Sequence, residues 1–322
     1  MNNNKLVSVI TINYNHSKDT IKCVESVLKS EYDNFHIFII DNGSEEQDYK
    51  ELKEYYENND KVSIIHLKKN VGYVGGVNKG LEEAAKKEPD YFLIINNDTI
   101  IDKEAMQALV ETAEKYNGNA IVSGKVYNMD KPDTLQYIGQ WCRNRKKMDF
   151  PPYIKNGQEK DLGQYDKEME MAMLDDIFWL LPFKIFKEIG YYSTYFFLYG
   201  EQNDYAFRAL KKGYKLIYTP KAKIWHHHHL TTADGKKNSP AIDYWKTFAV
   251  LMLQYLHNNR KDFLIFYFNF LTKLLAKALF YKTKNKNIKP QLLAYIFFTK
   301  WLFYKTPNDG YNPFMKKSNN NG

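Results

Sequence analysis

Four short β-branched stretches recur along the first hundred residues, and each leads into a segment with helical periodicity. Residues 6–12 (LVSVITI), 35–40 (FHIFII), 62–67 (VSIIHL) and 91–96 (YFLIIN) are apolar runs of strand length bounded by polar residues, the pattern of strands buried on both faces. After the first, Ile21, Val24, Val27 and Leu28 stand at helical spacing within residues 20–30, and residues 45–57, 75–87 and 102–116 supply the later helices. This alternation implies an α/β fold, a doubly wound and mostly parallel sheet flanked by helices. Such sheets bind ligands beyond the carboxyl ends of their strands, so the chemistry is sought where each strand stops.

The second strand closes on Asp41, within IIDNGS. A carboxylate there can accept a hydrogen bond from a base N–H or a ribose hydroxyl, although a lone aspartate at such a point is more often a turn former. The third strand leads into NVGYVGGVNKG, residues 70–80, where Gly72, Gly75, Gly76 and Gly80 stand with Asn70 and Asn78. Read as a turn, four glycines in so short a stretch let a ligand approach the backbone closely. It is not the dinucleotide fingerprint, because GxGxxG is absent and the turn follows the third strand. The fourth strand ends in INNDT, which sets Asp98 at the lip of the sheet. A hard divalent cation, Mg²⁺ or Mn²⁺, takes oxygen ligands and commonly shares a carboxylate with substrate phosphates; taken alone, the same tripeptide is an ordinary loop.

Beyond the fourth unit, residues 140–172 are charged and irregular, as loops or a lid would be. Residues 174–190 read as a strand running into a helix that ends at Gly190, residues 201–213 as a helix stopped by Gly213, and residues 215–220 and 223–226 as edge strands. The chain divides at about 240 into a catalytic domain (1–240) and a C-terminal helical, aromatic-rich region (241–322). The formal net charge of +8 is unevenly placed, with 13 Lys or Arg against 3 Asp or Glu in residues 240–322. Within residues 262–281, Asn269, Lys273 and Lys277 recur every four positions and line one helix face, while the rest is Phe, Leu, Ile, Tyr and Ala. A lysine stripe beside a broad aromatic face suits a helix lying in the plane of a membrane surface, with packing on the catalytic domain as the equal alternative. The greasy face between the charges argues against nucleic acid. The apolar stretch after Lys5 is too short and mixed for a secretory signal or a spanning helix. The expected location is therefore cytoplasmic, peripheral at the inner face of the cell membrane. Cys23 and Cys142 show no metal-binding or disulfide spacing.

Taken together, VITINYN, IDNGS, NVGYVGGVNKG, INND and FFLYGEQNDYAFRALKKGYKLIYTPKAKIWHH stand in order over about residues 6–229. In this the chain resembles the family 2 glycosyltransferases of the GT-A fold, especially the bacterial rhamnosyltransferases and galactofuranosyltransferases. The resemblance implies a sugar transferred from a dTDP- or UDP-sugar donor to a saccharide or lipid-linked saccharide acceptor. It implies that Asp41 contacts the uracil or thymine base, with Thr11, Asn13, Asn70, Gly72, Asn78 and Asn97 along the nucleotide sugar. It makes Asp98, in the INND variant of the DxD motif, the residue that holds Mg²⁺ or Mn²⁺, and His226 the second metal-side residue. The following His227, His228 and His229 are weaker candidates.

The base is where the chain departs from the family pattern. An Glu-Asp-x-Asp cluster is expected at this helix start, and the sequence has Glu201, Gln202, Asn203, Asp204. An amide cannot take a proton from an attacking hydroxyl, so three readings stand open: Glu201 as base, Asp204 as base, or a weak or inactive enzyme. Glu201 and Asp204 lie three apart on one helix face, and acidic residues in a first turn also serve simply as caps. Arg208, one turn on, is placed to orient them. Asp175 and Asp176 fall on the expected acceptor wall, and residues 191–199 hold an aromatic run that could stack on sugar rings. Two rivals from other classes are a non-catalytic sugar-nucleotide or glycan-binding homologue that lost its base at Gln202, and a nucleotidyltransferase. The latter needs a Gly-rich loop after the first strand, and NYNHSKD has no glycine.

Overall fold

A computed structural model describes residues 5–154, 159–227, 239–280 and 288–315 of the chain; His228 and His229 lie outside them. The elements run β1 (Val7–Asn13), α1 (Ser17–Leu28), β2 (Phe35–Asp41), α2 (Glu46–Tyr56), β3 (Val62–His66), α3 (Gly72–Ala85), β4 (Tyr91–Ile95), β5 (Thr99–Ile101) and α4 (Ala105–Lys115). They continue β6 (Ala120–Asn128), β7 (Lys131–Tyr137), β8 (Glu159–Lys160), β9 (Met169–Glu170), β10 (Phe178–Pro182), α5 (Phe183–Ile189), α6 (Glu201–Lys211), β11 (Lys215–His226), α7 (Pro240–His257), α8 (Arg260–Phe280) and α9 (Lys289–Tyr304).

The main sheet has the order β3-β2-β1-β4-β10-β6-β11-β5. β1, β2, β3 and β4 are parallel, and β10 runs antiparallel between β4 and β6. Strict alternation of side chains sends Val7, Val9, Ile37, Ile39, Leu93 and Ile95 to one face, where Cys23 and Val24 of α1, Leu52 of α2 and Leu109 of α4 cover them. Ile10, Phe38, Ile40, Phe92 and Ile94 face the other side, packed with α3, α5, α6 and the C-terminal helices. The continuous apolar runs of β1, β2 and β4 thus mean strands covered on both faces, as expected of an α/β fold, whereas β3, at the edge of the sheet, is only half-buried.

Two local expectations are corrected. Residues 215–226 form one strand, not two edge strands, and β11 lies inside the sheet between β6 and β5. Pro220 has no N–H for the ladder, and the chain absorbs it in a bulge between Tyr218 and Lys223. Gly124 of β6 makes room there, since a Cβ on it would stand 2.1 Å from the Ala222 carbonyl oxygen. The Gly-rich stretch is the start of a helix, α3, from Gly72 onward. A Cβ on Gly80 would meet Ile10 Cγ2 at 2.4 Å, and one on Gly76 would meet Ile12 Cγ2 at 3.0 Å. Those glycines let α3 lie close on β1.

At residue 240 no separate core begins. Tyr244, Phe248 and Met252 of α7 and Phe298 of α9 belong to the same apolar cluster as Trp179 of β10 and Tyr205 of α6. Among the described residues no helix is long and apolar enough to cross a membrane.

Candidate active site

The parallel strands deliver Asn13, Asp41 and His66 side by side, for β1 and β2 pair Asn13 with Asp41 and β2 and β3 pair Asp41 with His66. Asp41 is fully buried. Its Oδ1 accepts from Asn13 Nδ2 at 2.8 Å, and its Oδ2 is 2.7 Å from His66 Nδ1. Asn13 Nδ2 also lies 2.7 Å from Asp48 Oδ2, while Asn13 Oδ1 accepts from the Thr20 hydroxyl, which in turn accepts from Asn97 Nδ2 at 2.9 Å. One polar chain therefore joins the ends of β1, β2, β3 and β4, and a satisfied buried network of this kind holds each member in one orientation. His66, stacked on Tyr49 with ring centroids 4.1 Å apart, is its solvent-facing end. The rule that selected Asp41, a polar residue at a strand's carboxyl end, would have found His66 as well.

The other expected donor-side residues are held more privately. Thr11 sits two pairs short of the strand end, buried under α1 beside the Cys23 thiol. Asn70 Oδ1 accepts from the Gly72 N–H at 2.8 Å and from Asn42 Nδ2 at 3.2 Å, so it shapes the entry to α3. Gly72 has φ of 78° and faces Phe197, whose carbonyl oxygen a Cβ would approach to 2.6 Å. Both atoms of the Asn78 amide are bonded to the backbone of Tyr192, each at 2.9 Å.

Asp98 and His226 come together because β5 pairs with β11, setting Thr99 opposite His226, while the His227 N–H donates to the Asp98 carbonyl. His226 Nε2 is 3.2 Å from Asp98 Oδ1. Neither carboxylate oxygen of Asp98, itself 3% exposed, receives a hydrogen bond. A buried carboxylate left without donors is costly unless something cationic completes it, and an oxygen donor set beside an imidazole nitrogen fits a divalent cation. Among the described residues no third His, Cys, Asp or Glu joins them in one cluster. The pair alone would give such a cation two protein side chains.

Three more carboxyl groups converge from other elements. Asp176, just before β10, accepts the hydroxyls of Tyr73 (α3) at 3.1 Å and Tyr192 at 3.2 Å on its Oδ2. Burial, and then the charge of Asp175, push its pKa up to about 7. Burial also raises Asp175, against the pull of His226 and the Gln202 amide. Glu201, at the start of α6, is 4% exposed, and its Oε2 has no partner. Burial first and Asp176 second hold it well above the usual carboxylate range. Close acidic groups in a desolvated place share protons instead of all ionising, so an ionised member of this cluster is a stronger base than a free carboxylate.

Asp204 has a different setting. Its Oδ2 accepts from Arg208 Nε at 2.8 Å, and its Oδ1 is 2.8 Å from His257 Nε2 at the end of α7. Arg208 also donates to the carbonyls of Ile189 and Tyr191. Both oxygens of Asp204 are thus engaged in joining α6 to its neighbours. No local signal marks His257, which arrives from fifty-three residues away. The expected aromatic run is mostly packing: Tyr192 and Phe196 are buried, Phe197 stacks on Trp245, and Tyr191 is open to solvent.

Comparison with known proteins bears directly on this arrangement. "Glycosyltransferase GlyG" of Streptococcus pneumoniae is 25% identical over 134 residues, 42% of this chain and 43% of that protein. "Poly-beta-1,6-N-acetyl-D-glucosamine synthase" of Staphylococcus aureus is 22% identical over 222 residues, 66% of this chain and 47% of that one. The chain thus spans less than half the length of these relatives. The crystal structure of GalNAc-T7 with UDP, GalNAc and Mn²⁺ superposes with a TM-score of 0.66 at 18% identity, covering 95% of this chain and 57% of that one. That likeness shows the GT-A fold. The profile of "Glycosyl transferase family 2" matches residues 8–190, more than half of the sequence. The chain belongs to glycosyl transferase family 2.

Proposed function

We propose that the protein is an inverting glycosyltransferase that moves a sugar, rhamnose or a similar hexose, from a dTDP- or UDP-sugar to a hydroxyl of a polysaccharide or lipid-linked saccharide. The observation that carries the reading is the buried Asp98 carboxylate, free of hydrogen bonds and facing His226, at the mouth of the sheet where a nucleotide diphosphate would lie. Asp98 and His226 would hold Mg²⁺ or Mn²⁺; a bound divalent cation neutralises charge on a departing diphosphate. The Asn13–Asp41–His66 network would receive the base, since its orientation is fixed before any ligand arrives.

In the transfer, the acceptor oxygen forms a bond to the anomeric carbon while the bond from that carbon to the diphosphate oxygen breaks, and the electron pair leaves with the nucleotide. The acceptor proton passes to a carboxylate of this chain. Glu201 takes that role in this reading, because its Oε2 has no partner whereas both oxygens of Asp204 are occupied. Asp175 and Asp176 stand on the acceptor side of the same cluster.

Release of nucleotide from a panel of dTDP- and UDP-sugars, with Mn²⁺ or Mg²⁺ and a saccharide acceptor, tests the reading. Transfer from one donor should require the metal and should fall about 100-fold or more in both Asp98→Asn and Glu201→Gln. One observation favours a second reading, a homologue that binds the donor without transferring it: an amide, Gln202, stands where the family pattern has a carboxylate. Metal-dependent donor binding with no release from any donor would establish that reading instead.

A further inference from the structure

The C-terminal helices leave one large surface open. α8 buries a narrow stripe, Phe263, Tyr267 and Leu274, of which Tyr267 stacks on Tyr295 of α9 and bonds Thr299 at 2.6 Å. About a third of a turn away lie Leu264, Phe268, Leu275 and Leu279, which at roughly 100° per residue fall on one face; they are 49%, 58%, 50% and 75% exposed. α9 adds an exposed apolar residue of its own, Phe303 at 81%. Of the fifteen large apolar side chains exposed among the described residues, eight belong to these two helices. Such a concentration marks an interaction surface, where scattered exposed residues would not.

Charge identifies the occupant. Residues 263–308 contain eight lysines and no aspartate or glutamate. At the same spacing Lys273 and Lys277 lie on the polar side of α8, across the helix from that apolar face, and the exposed Lys300 stands on α9 between Ile296 and Phe303. A helix with apolar side chains on one side and lysines on the other meets the interior edge and the headgroups of an anionic bilayer together. The same charge opposes a second copy of the chain, which would bring like charges face to face. With no spanning helix among the described residues, the contact is one of lying on the surface. We infer that the α8–α9 face is a docking surface for an anionic lipid bilayer, with Leu264, Phe268, Leu275, Leu279 and Phe303 entering the interface and Lys273, Lys277 and Lys300 at the headgroups. This inference does not depend on the transfer reaction, and its test reads binding alone.

Cosedimentation of the full chain with vesicles of phosphatidylcholine alone, or mixed with phosphatidylglycerol, checks it. Binding should be at least tenfold tighter to the anionic vesicles and weaken in about 0.5 M salt. The double variant Phe268→Glu/Leu275→Glu should lose at least tenfold in that binding while keeping its elution volume and circular dichroism, since both positions are exposed. Lys273→Ala/Lys277→Ala should weaken binding to anionic vesicles and leave the weak binding to neutral ones unchanged. Equal binding of wild type and the Phe268→Glu/Leu275→Glu variant would overturn the inference, as would no binding to anionic vesicles. A concentration-dependent dimer abolished by that variant would overturn it too, by placing a second copy on the face.

Discussion

At the scale of single residues the site is governed by which carboxylates are satisfied. Asp41 and Asp204 have partners on both oxygens, Asp98 has no hydrogen-bond donor, and Asp176 shares its protons with Glu201 and the tyrosines around it. The last case gives a pH dependence with a definite sign. Asp176 sits near 7 in the folded chain, above the ordinary carboxylate value it regains on unfolding. Between about pH 4 and pH 7 the folded state therefore holds more protons, and stability falls as pH rises through this range. Asp176→Asn removes that penalty: its melting temperature should exceed that of wild type by about 3 °C or more at pH 8, with the gain shrinking toward pH 4. Thermal melts of the two proteins across that range decide it. Asp98, Asp176, Glu201 and Asp41 were legible in the sequence as polar residues at strand or helix ends. Which of them are satisfied was not, because Tyr73 and Tyr192 reach Asp176, as His257 reaches Asp204, from distant segments through the packing of helices.

At the scale of elements, the strands and helices of the first four βα units were legible because burial on both faces leaves a continuous apolar run. The glycines of residues 70–80 were misread as a turn because glycine is also what lets a helix press against a sheet, and the sequence does not separate the two uses. Gly124 was invisible for the same reason, yet it controls where β11 can go and so where His226 ends. A Cβ at that position would stand 2.1 Å from the Ala222 carbonyl oxygen, backbone that cannot swing aside. Gly124→Ala should thus cost about 2 kcal/mol of stability through overpacking. It should also weaken Mn²⁺ binding, because the β6 and β11 ladder that carries His226 must shift. Denaturant titration and calorimetry with Mn²⁺ in the presence of UDP read the two effects separately, and an unchanged affinity would show that the bulge absorbs the strain before it reaches His226.

At the scale of the whole molecule, the division at residue 240 is a division in composition, since basic and aromatic residues gather beyond it, but the core runs straight across it. Gly200, at the entry to α6, leaves no room for a side chain because a Cβ would meet Ala249 of α7 at 2.8 Å. His257 closes the junction. Its Nε2 is 2.8 Å from Asp204 and its Nδ1 is 3.0 Å from Lys211 Nζ. A neutral ring donating to the carboxylate and accepting from the ammonium satisfies all three groups, in keeping with burial lowering its pKa. His257→Leu leaves a buried carboxylate with half its partners and should cost about 3 kcal/mol. His257→Gln, which can still donate, should lose less. Ending the chain at 239 removes α7 and α9 from the cluster that covers Trp179 and Tyr205, so the shortened chain should be recovered insoluble or as a state with secondary structure but no cooperative melt. A soluble fragment melting cooperatively would mean that residues 1–240 fold alone. α6, with Glu201 at its start, would then owe its place to the sheet and not to the C-terminal helices.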